Sequence, residues 1–174
     1  MDKMVRIIVT GHPVAKGRAR AGLIPKKGGG FVADQNGRPV ISHHTPGKTR
    51  RWEADARDQA RAAMKGASPM TGPLELTVTA FFAPSASWPA WKREAALTGW
   101  VAHTSKPDGD NLVKAAKDAL NGVAWIDDSQ VVRHSGEKLY GASPRVEITI
   151  RAINAAPSNV ASKKLLATTQ EQFA

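Results

Sequence analysis

Cysteine is absent from this chain of 174 residues. Disulfide bonds, thiolate zinc sites and cysteine nucleophiles are therefore excluded. Long apolar runs are missing as well, since no segment approaches the roughly 18 consecutive apolar residues that a membrane span requires. The opening MDKMVRIIVT holds too short an apolar stretch, and no small-residue cleavage site, to predict a signal peptide. We therefore expect a soluble, cytoplasmic protein that does not enter a membrane.

Acidic residues are scarce relative to basic ones. The chain has 15 Asp and Glu against 25 Lys and Arg, which leaves a formal net charge of +10. A basic surface can simply be solvated, but an excess of this size is typical of nucleic-acid-binding proteins. The length predicts one domain with a hydrophobic core. We place that domain at 1–153, and we predict a flexible tail at 154–174, where strand alternation is lacking.

Hydrophobic periodicity predicts an α/β fold of the α+β kind, a single compact domain in which helices pack on a mixed β-sheet. The β-branched run at 4–10 predicts a central strand, and clean apolar–polar alternation predicts another strand at 74–82. The last two strands are joined by a short turn, so we expect them to be antiparallel. The first of these two is expected to be interrupted near Ser135 and Gly136 by a bulge.

Two helices are predicted before the motif region, over about 48–65 and about 92–98. Between the first strand and the first of these helices, the pair Asn36-Gly37 predicts a hairpin turn in an otherwise irregular stretch. Trp88 and Trp91 precede the second helix. Base stacking is one role for them, but packing of a small core is the commoner one.

Adjacent histidines stand at 43 and 44. On a strand they point to opposite faces, so we interpret His43 and His44 as surface residues and not as metal ligands. Just before the predicted helix at 48–65, the chain turns at Thr45-Pro46. Basic residues crowd the first turn of that helix, where the helix dipole disfavours cations. Phosphate contact explains this placement better than helix stability does.

The stretch 106–132 reads KPDGDNLVKAAKDALNGVAWIDDSQVV and concentrates the carboxylates. Asp108 and Asp110 stand at the start of a predicted helix that Asn121-Gly122 ends. A second pair, Asp127-Asp128, follows a short apolar run. Oxygen ligands from such carboxylates suit Mg²⁺. In the alternative interpretation, which the local pattern leaves open, the first pair caps the helix and the second makes a turn.

Lys114 lies one turn beyond Asp110 and on the same helix face. An ammonium group at this point would lie beside the bound cation, where a phosphate group would also lie.

The segment DGDNLVKAAKDALNGVAWIDDSQVV resembles the signature of the RusA family, the Holliday-junction resolvases of bacteria and their phages. That signature consists of Asp-x-Asp-Asn-Leu-x-Lys, then Asp-Ala-Leu, then Trp-x-Asp-Asp-x-Gln-Val-Val, and every element is present in order. The resemblance implies that Asp108, Asp110 and Asp128 are catalytic and hold Mg²⁺, with Mn²⁺ as a substitute. It also implies that Lys114 is an essential catalytic lysine.

The resemblance further implies a metal-dependent endodeoxyribonuclease that resolves four-way DNA junctions by paired phosphodiester hydrolysis, in recombination and repair. It implies a homodimer, in a bacterium or encoded by a phage. The family carries a basic loop like Lys16-Gly17-Arg18-Ala19-Arg20, whose glycine we expect to let the backbone approach a ligand. We expect nucleic-acid binding by Lys16, Arg18, Arg20, Lys48, Arg50, Arg51, Lys106 and Lys138. The alternatives are a non-catalytic basic DNA-binding protein and a nuclease that prefers flaps or forks.

Overall fold

A computed structural model describes residues 3–153, so the predicted tail at 154–174 lies outside the described residues. No helix in this part of the chain is long and apolar enough to cross a membrane. The elements in chain order are β1 (Met4–Thr10), β2 (Arg20–Leu23), β3 (Ile41–His44), α1 (Gly47–Met64), β4 (Leu74–Phe82), α2 (Ala90–Leu97), α3 (Gly109–Leu120), a 3₁₀ turn (Asp128–Gln130), β5 (Val131–Tyr140) and β6 (Arg145–Ala152).

The main sheet has the strand order β1–β6–β4–β5. β6 is antiparallel to both β1 and β4, whereas β4 and β5 are parallel. The predicted mixed sheet is therefore confirmed. β5 and β6 do run in opposite directions, but β4 lies between them, so they do not pair with each other. The prediction of a central first strand was wrong, because β1 lies at an edge and buries only alternate residues such as Ile7 and Val9.

β5 continues without interruption through 135 and 136. Its register with β4 shifts nearer the start of the strand, where Val131 and Arg133 face consecutive residues of β4. Val132 is therefore the extra residue of a bulge. The expected irregularity exists, but its predicted position was wrong.

Gly136 has a different role, close packing against α3. A Cβ atom at this position would lie 2.8 Å from Cγ2 of Val113 and 3.2 Å from the carbonyl oxygen of Gly109. Only a residue without a side chain lets the N-terminus of α3 lie this close to β5. This contact fixes where the acidic start of α3 sits relative to the sheet.

The core lies between the main sheet and the two helices α1 and α3, which also contact each other. The apolar stripe predicted for α3 is buried, and its many alanines let the helix approach its neighbours closely. Trp125, which follows α3, is fully buried in the same core. The stripe residues are Leu112, Ala115, Ala116, Ala119 and Leu120.

The predicted hairpin turn is confirmed within the connection between β2 and β3. The backbone N–H of Asp34 donates to the carbonyl oxygen of Arg38 (2.8 Å), and the N–H of Gly37 donates back to Asp34 (3.0 Å). Gly37 has a φ of 77°, which favours glycine. β2 and β3 pair only with each other and form a small sheet apart from the main one.

The tryptophans near α2 differ in environment. Trp88 is half-buried, its ring 5.5 Å from that of Tyr140, with the ammonium of Lys92 4.2 Å above it. Trp91 is 69% exposed. The packing interpretation is thus confirmed for Trp88 and wrong for Trp91, whose position on α2 faces away from the core.

Candidate active site

The acidic start of α3 presents two exposed carboxylates. Asp108 is the N-cap residue, yet its side chain makes no capping hydrogen bond. Asp110 lies in the first turn, and its Oδ2 accepts a hydrogen bond of 2.9 Å from Nζ of Lys114. The carboxylate of Asp108 is therefore not used by the helix end, as the capping interpretation would require.

The hydrogen bond from Lys114 lowers the pKa of Asp110 below its ordinary value, and the charge attraction between the two groups adds to this effect. The carboxylate is therefore ionised at neutral pH. Both side chains are about 60% exposed, so solvent screens the pair and its contribution to folding stability is small. What the pair provides is an ammonium group held in a defined place beside a carboxylate.

The two carboxylates of the second acidic pair, Asp127 and Asp128, have different hydrogen-bond partners. Oδ1 of Asp127 accepts a hydrogen bond from the backbone N–H of Ser129 (2.8 Å), and the side chain of Gln130 accepts one from the N–H of Asp127 (3.1 Å). This reciprocal capping box starts the 3₁₀ turn. Asp128 instead accepts a hydrogen bond of 2.9 Å from Nε1 of the buried Trp125. The turn interpretation thus describes Asp127, whereas Asp128 is oriented by the core.

A surface pocket of about 330 Å³ brings part of the predicted site together. Lys114 and Asp128 face it, as does Lys16 from the loop after β1. Asp110 is joined to this group through its hydrogen bond with Lys114. The residues that line the pocket are Lys16, Lys114, Lys117, Asp118 and Asp128.

Within residues 3–153 no three Asp, Glu or His side chains lie close enough together to form a metal site. Asp108, Asp110 and Asp128 therefore do not form a ready-made cluster of ligands, and their role in holding a metal ion stays a prediction.

Lys16 ties the loop after β1 to both helices. Its Nζ lies 2.6 Å from Oδ2 of Asp118 on α3 and 2.9 Å from Oε1 of Glu53 on α1. Its backbone N–H donates to the carbonyl oxygen of Asn111 (2.8 Å). Burial acts to lower the pKa of Lys16, but the hydrogen bonds to the two carboxylates outweigh it and raise the pKa. Lys16 is therefore a cation held between two anions at the pocket wall.

Asp118 and Glu53 were not among the predicted site residues. For Asp118 a signal existed, since it is the aspartate of the Asp-Ala-Leu element in the family signature. Glu53 had no sequence signal, because its partner Lys16 is 37 residues away along the chain.

Gly17 is explained by packing against the start of α1. A Cβ atom at this position would lie 2.9 Å from Cγ of Pro46 and 3.1 Å from Oγ1 of Thr49. The N–H of Gly17 donates to Oγ1 of Thr49 (3.3 Å), whose hydroxyl in turn donates to the carbonyl oxygen of Ala15 (3.2 Å). This packing gives a structural reason for the glycine, and its expected role in the approach of a ligand stays a prediction.

Lys138 of β5 holds the loop that leads to Asp108. Its Nζ donates to the carbonyl oxygens of Ser105 (2.8 Å) and Pro107 (3.0 Å). This ammonium group therefore has a positioning role in the described structure. His43 and His44 are exposed, as predicted for surface residues. The other predicted DNA-binding side chains also lie at the surface: Arg18, Arg20, Lys48, Arg50, Arg51 and Lys106.

Comparison with known proteins agrees with the signature found in the sequence. The family described as Endodeoxyribonuclease RusA matches residues 11–151. YqaN of Bacillus subtilis (strain 168), named an uncharacterized protein, is 34% identical over 156 residues, which cover 87% of this chain and 98% of YqaN. The Crossover junction endodeoxyribonuclease rusA of Lactococcus phage r1t is 34% identical over 84 residues, 47% of this chain and 56% of the phage protein. The resemblance is thereby confirmed, and the chain belongs to the RusA family of endodeoxyribonucleases.

Proposed function

We propose that this protein is a Mg²⁺-dependent, structure-specific endodeoxyribonuclease that resolves Holliday junctions in DNA recombination and repair. The observation that carries the proposal is the pocket where Lys114, Asp128 and Lys16 meet, in a chain of the RusA family. Such a pocket pairs cations suited to phosphate with a carboxylate suited to a divalent ion. The two relatives come from a bacterium and a phage, and we place the enzyme in the bacterial cytoplasm.

Asp108, Asp110 and Asp128 would hold the cation. Their fit rests on donor chemistry, since all three offer hard oxygen atoms of the kind that Mg²⁺ prefers. Asp108 has no capping hydrogen bond, and Asp128 accepts one only from Trp125 among the described contacts. Oxygen lone pairs therefore remain for a cation. When bound, the cation would supply Lewis-acid polarisation of the phosphate group.

The side chains at and around the pocket have separable roles in this mechanism. Lys114 places a compact positive charge next to the phosphate and stabilises the negative charge that develops on its oxygens. Asp110 holds that ammonium in place before substrate binds. Trp125 fixes the orientation of the Asp128 carboxylate, and Lys138 fixes the loop that ends at Asp108. The contacts of these side chains support the proposed roles, and each role can be tested separately.

The proposal is tested by incubating the purified protein with a synthetic four-way junction and with a linear duplex of the same sequence. We expect paired cuts in the junction with Mg²⁺, cuts also with Mn²⁺, and none with EDTA. Junction binding without cleavage in every cation would favour a non-catalytic DNA-binding protein. Faster cleavage of a flap or a fork than of the junction would assign the activity to those substrates.

A further inference from the structure

Most of the net charge lies in one short segment. Residues 16–51 contain nine Lys and Arg and a single acidic residue, Asp34, so they carry +8 of the chain's +10. The segment includes the small β2–β3 sheet with its connection, residues 20–44, which we term the basic arm. The basic residues of the segment are Lys16, Arg18, Arg20, Lys26, Lys27, Arg38, Lys48, Arg50 and Arg51.

The basic arm is held together by its own hydrogen bonds. β2 and β3 pair from Arg20 with His44 to Leu23 with Ile41. The connection between them folds back on itself, since the N–H of Val32 donates to Ile24 and the N–H of Val40 donates to Val32, both at 2.8 Å. The turns at Gly28–Gly30 and Gly37 have open space around them. The arm is thus an ordered projection and not part of the main sheet.

The base of the basic arm lies beside the candidate active site. Lys16, four residues before β2, lines the pocket. Gly17 packs against Pro46, so the two ends of the arm meet at the start of α1. DNA whose phosphate occupies the pocket would continue past this base. The arm therefore starts beside any DNA that is bound in the pocket.

The charges of the basic arm are uncompensated. Lys26, Lys27 and Arg38 are exposed, and in residues 3–153 none of them makes a salt bridge. Oδ1 of Asp34 accepts hydrogen bonds from the backbone N–H groups of Asn36 and Arg38 at 2.8 and 2.9 Å, so it shapes the turn. Like charges collected on one projection repel one another. A polyanion laid along the arm removes that repulsion.

We propose that the basic arm binds the phosphates of a duplex arm of the DNA substrate, away from the cleaved bond, through Lys26, Lys27 and Arg38. The proposal rests on the proposed function, because it takes branched DNA as the substrate. Extended chain rises about 3.3 Å per residue, so the distance from Arg20 to Lys26 is roughly 20 Å. At 3.4 Å per phosphate along each strand, this corresponds to about six base pairs of DNA.

The first test replaces Lys26, Lys27 and Arg38 together by glutamine and measures junction binding in EDTA over a salt series. Removing one phosphate-binding cation should lower the log–log slope of affinity against salt by about 0.9, so the slope should fall by up to about 2.7 for the three. Near 0.1 M salt we expect binding to weaken at least about tenfold. The matched control replaces three exposed basic residues outside the segment, Lys3, Arg6 and Arg93, by glutamine. Equal weakening in both triple variants would overturn the proposal.

The second test neutralises the DNA instead of the protein. A junction with uncharged methylphosphonate linkages about three to eight base pairs from the branch point should bind more weakly to the wild type. The same uncharged linkages should lower the affinity of the arm variant much less, because the cations that would bind those phosphates are already missing. The same weakening in both proteins would overturn the arm's role. If the wild type cleaves junctions and the arm variant binds them as tightly as the wild type does, only this inference is contradicted. If the wild type neither binds nor cleaves junctions, the proposed function is contradicted.

Discussion

Asp127 and Asp128 are adjacent and chemically identical, yet their carboxylates do different things. Asp127 closes a capping box with Gln130, whereas Asp128 accepts a hydrogen bond from Trp125 and faces the pocket. At the residue scale, function therefore depends on which way a backbone turn directs each side chain. The same distinction gives the aspartate predictions an internal control.

Asp108→Asn, Asp110→Asn and Asp128→Asn should each lower junction cleavage more than about a hundredfold while leaving junction binding largely intact. The change removes a charged ligand but keeps the volume, and affinity comes mainly from basic residues. Asp127→Asn is the control, because asparagine is also a good N-cap residue. Gel analysis of cleavage and anisotropy of binding check these outcomes. If all three variants lose the circular-dichroism spectrum of the folded protein, these residues are needed for folding and the catalytic assignment is contradicted.

Lys114→Met should retain the fold and lower single-turnover cleavage of bound junction by at least about a hundredfold. Lys114→Arg should rescue poorly, because a planar guanidinium cannot occupy the place of a compact ammonium. Arg61→Met is a matched control, since Arg61 and Asp58 form an exposed ion pair of the same kind on α1. Cleavage by Lys114→Met at the wild-type rate would show that this lysine has no catalytic role.

At the element scale, the position of α3 depends on a strand that follows it in the chain. β5 supplies Gly136, which leaves room for the start of the helix, and Lys138, which holds the preceding loop. Asp108 and Asp110 are therefore placed by contacts that span 23 to 33 residues of the sequence. A change in β5 can then disturb the site without touching a predicted catalytic residue.

Gly136→Ala should destabilise the fold by about 1–3 kcal/mol, because the new Cβ would overlap Val113 and the backbone of Gly109. It should also lower cleavage by more than the fall in folded protein explains, since the start of α3 must shift. Gly141→Ala provides a control with milder crowding, since a Cβ atom there would lie 3.1 Å from Cδ1 of Phe81, outside the pocket. Thermal melts and single-turnover rates measure both effects. Equal rates per folded molecule would show that the site tolerates the shift.

The start of α1 contains the basic residues Lys48, Arg50 and Arg51 and no acidic residue in its first turn. Cations are unfavourable at this end of a helix. Arg50→Gln combined with Arg51→Gln should therefore leave the helix as stable or slightly more stable. It should weaken junction binding and lower the salt slope by about 0.9 for each arginine that binds a phosphate. A salt titration of binding, together with a thermal melt, tests this pair of effects. An unchanged slope with a lower melting temperature would assign both arginines to helix packing.

At the scale of the whole molecule, paired cleavage requires two active sites related by symmetry. A two-fold homodimer supplies them, with one site in each subunit, and we predict this assembly. Light scattering on the purified protein should give twice the mass of the chain. Mixed dimers of wild type and Asp128→Asn should nick one strand where the wild type cuts two. A monomer that makes paired cuts at limiting concentration would contradict the prediction.

Local patterns in the sequence determined the elements of the site. The apolar stripe of α3 and its end at Asn121 follow from residues that are neighbours on one helix, so periodicity and end signals predicted them. The order of strands, the edge position of β1 and the absence of pairing between β5 and β6 were not predicted. Strand order depends on pairings between distant segments, which periodicity does not encode.

The family signature predicted the chemistry of the site, whereas only the tertiary structure decided which residues surround it. Asp108, Asp110, Lys114 and Asp128 are predicted site residues because of their match to the family signature. Two other features join residues at least 23 apart along the chain. They are the ion pairs of Lys16 with Glu53 and Asp118, and the close packing of Gly136 against α3. Such contacts exist only after the sheet and helices have packed, because packing brings side chains together regardless of their separation in sequence.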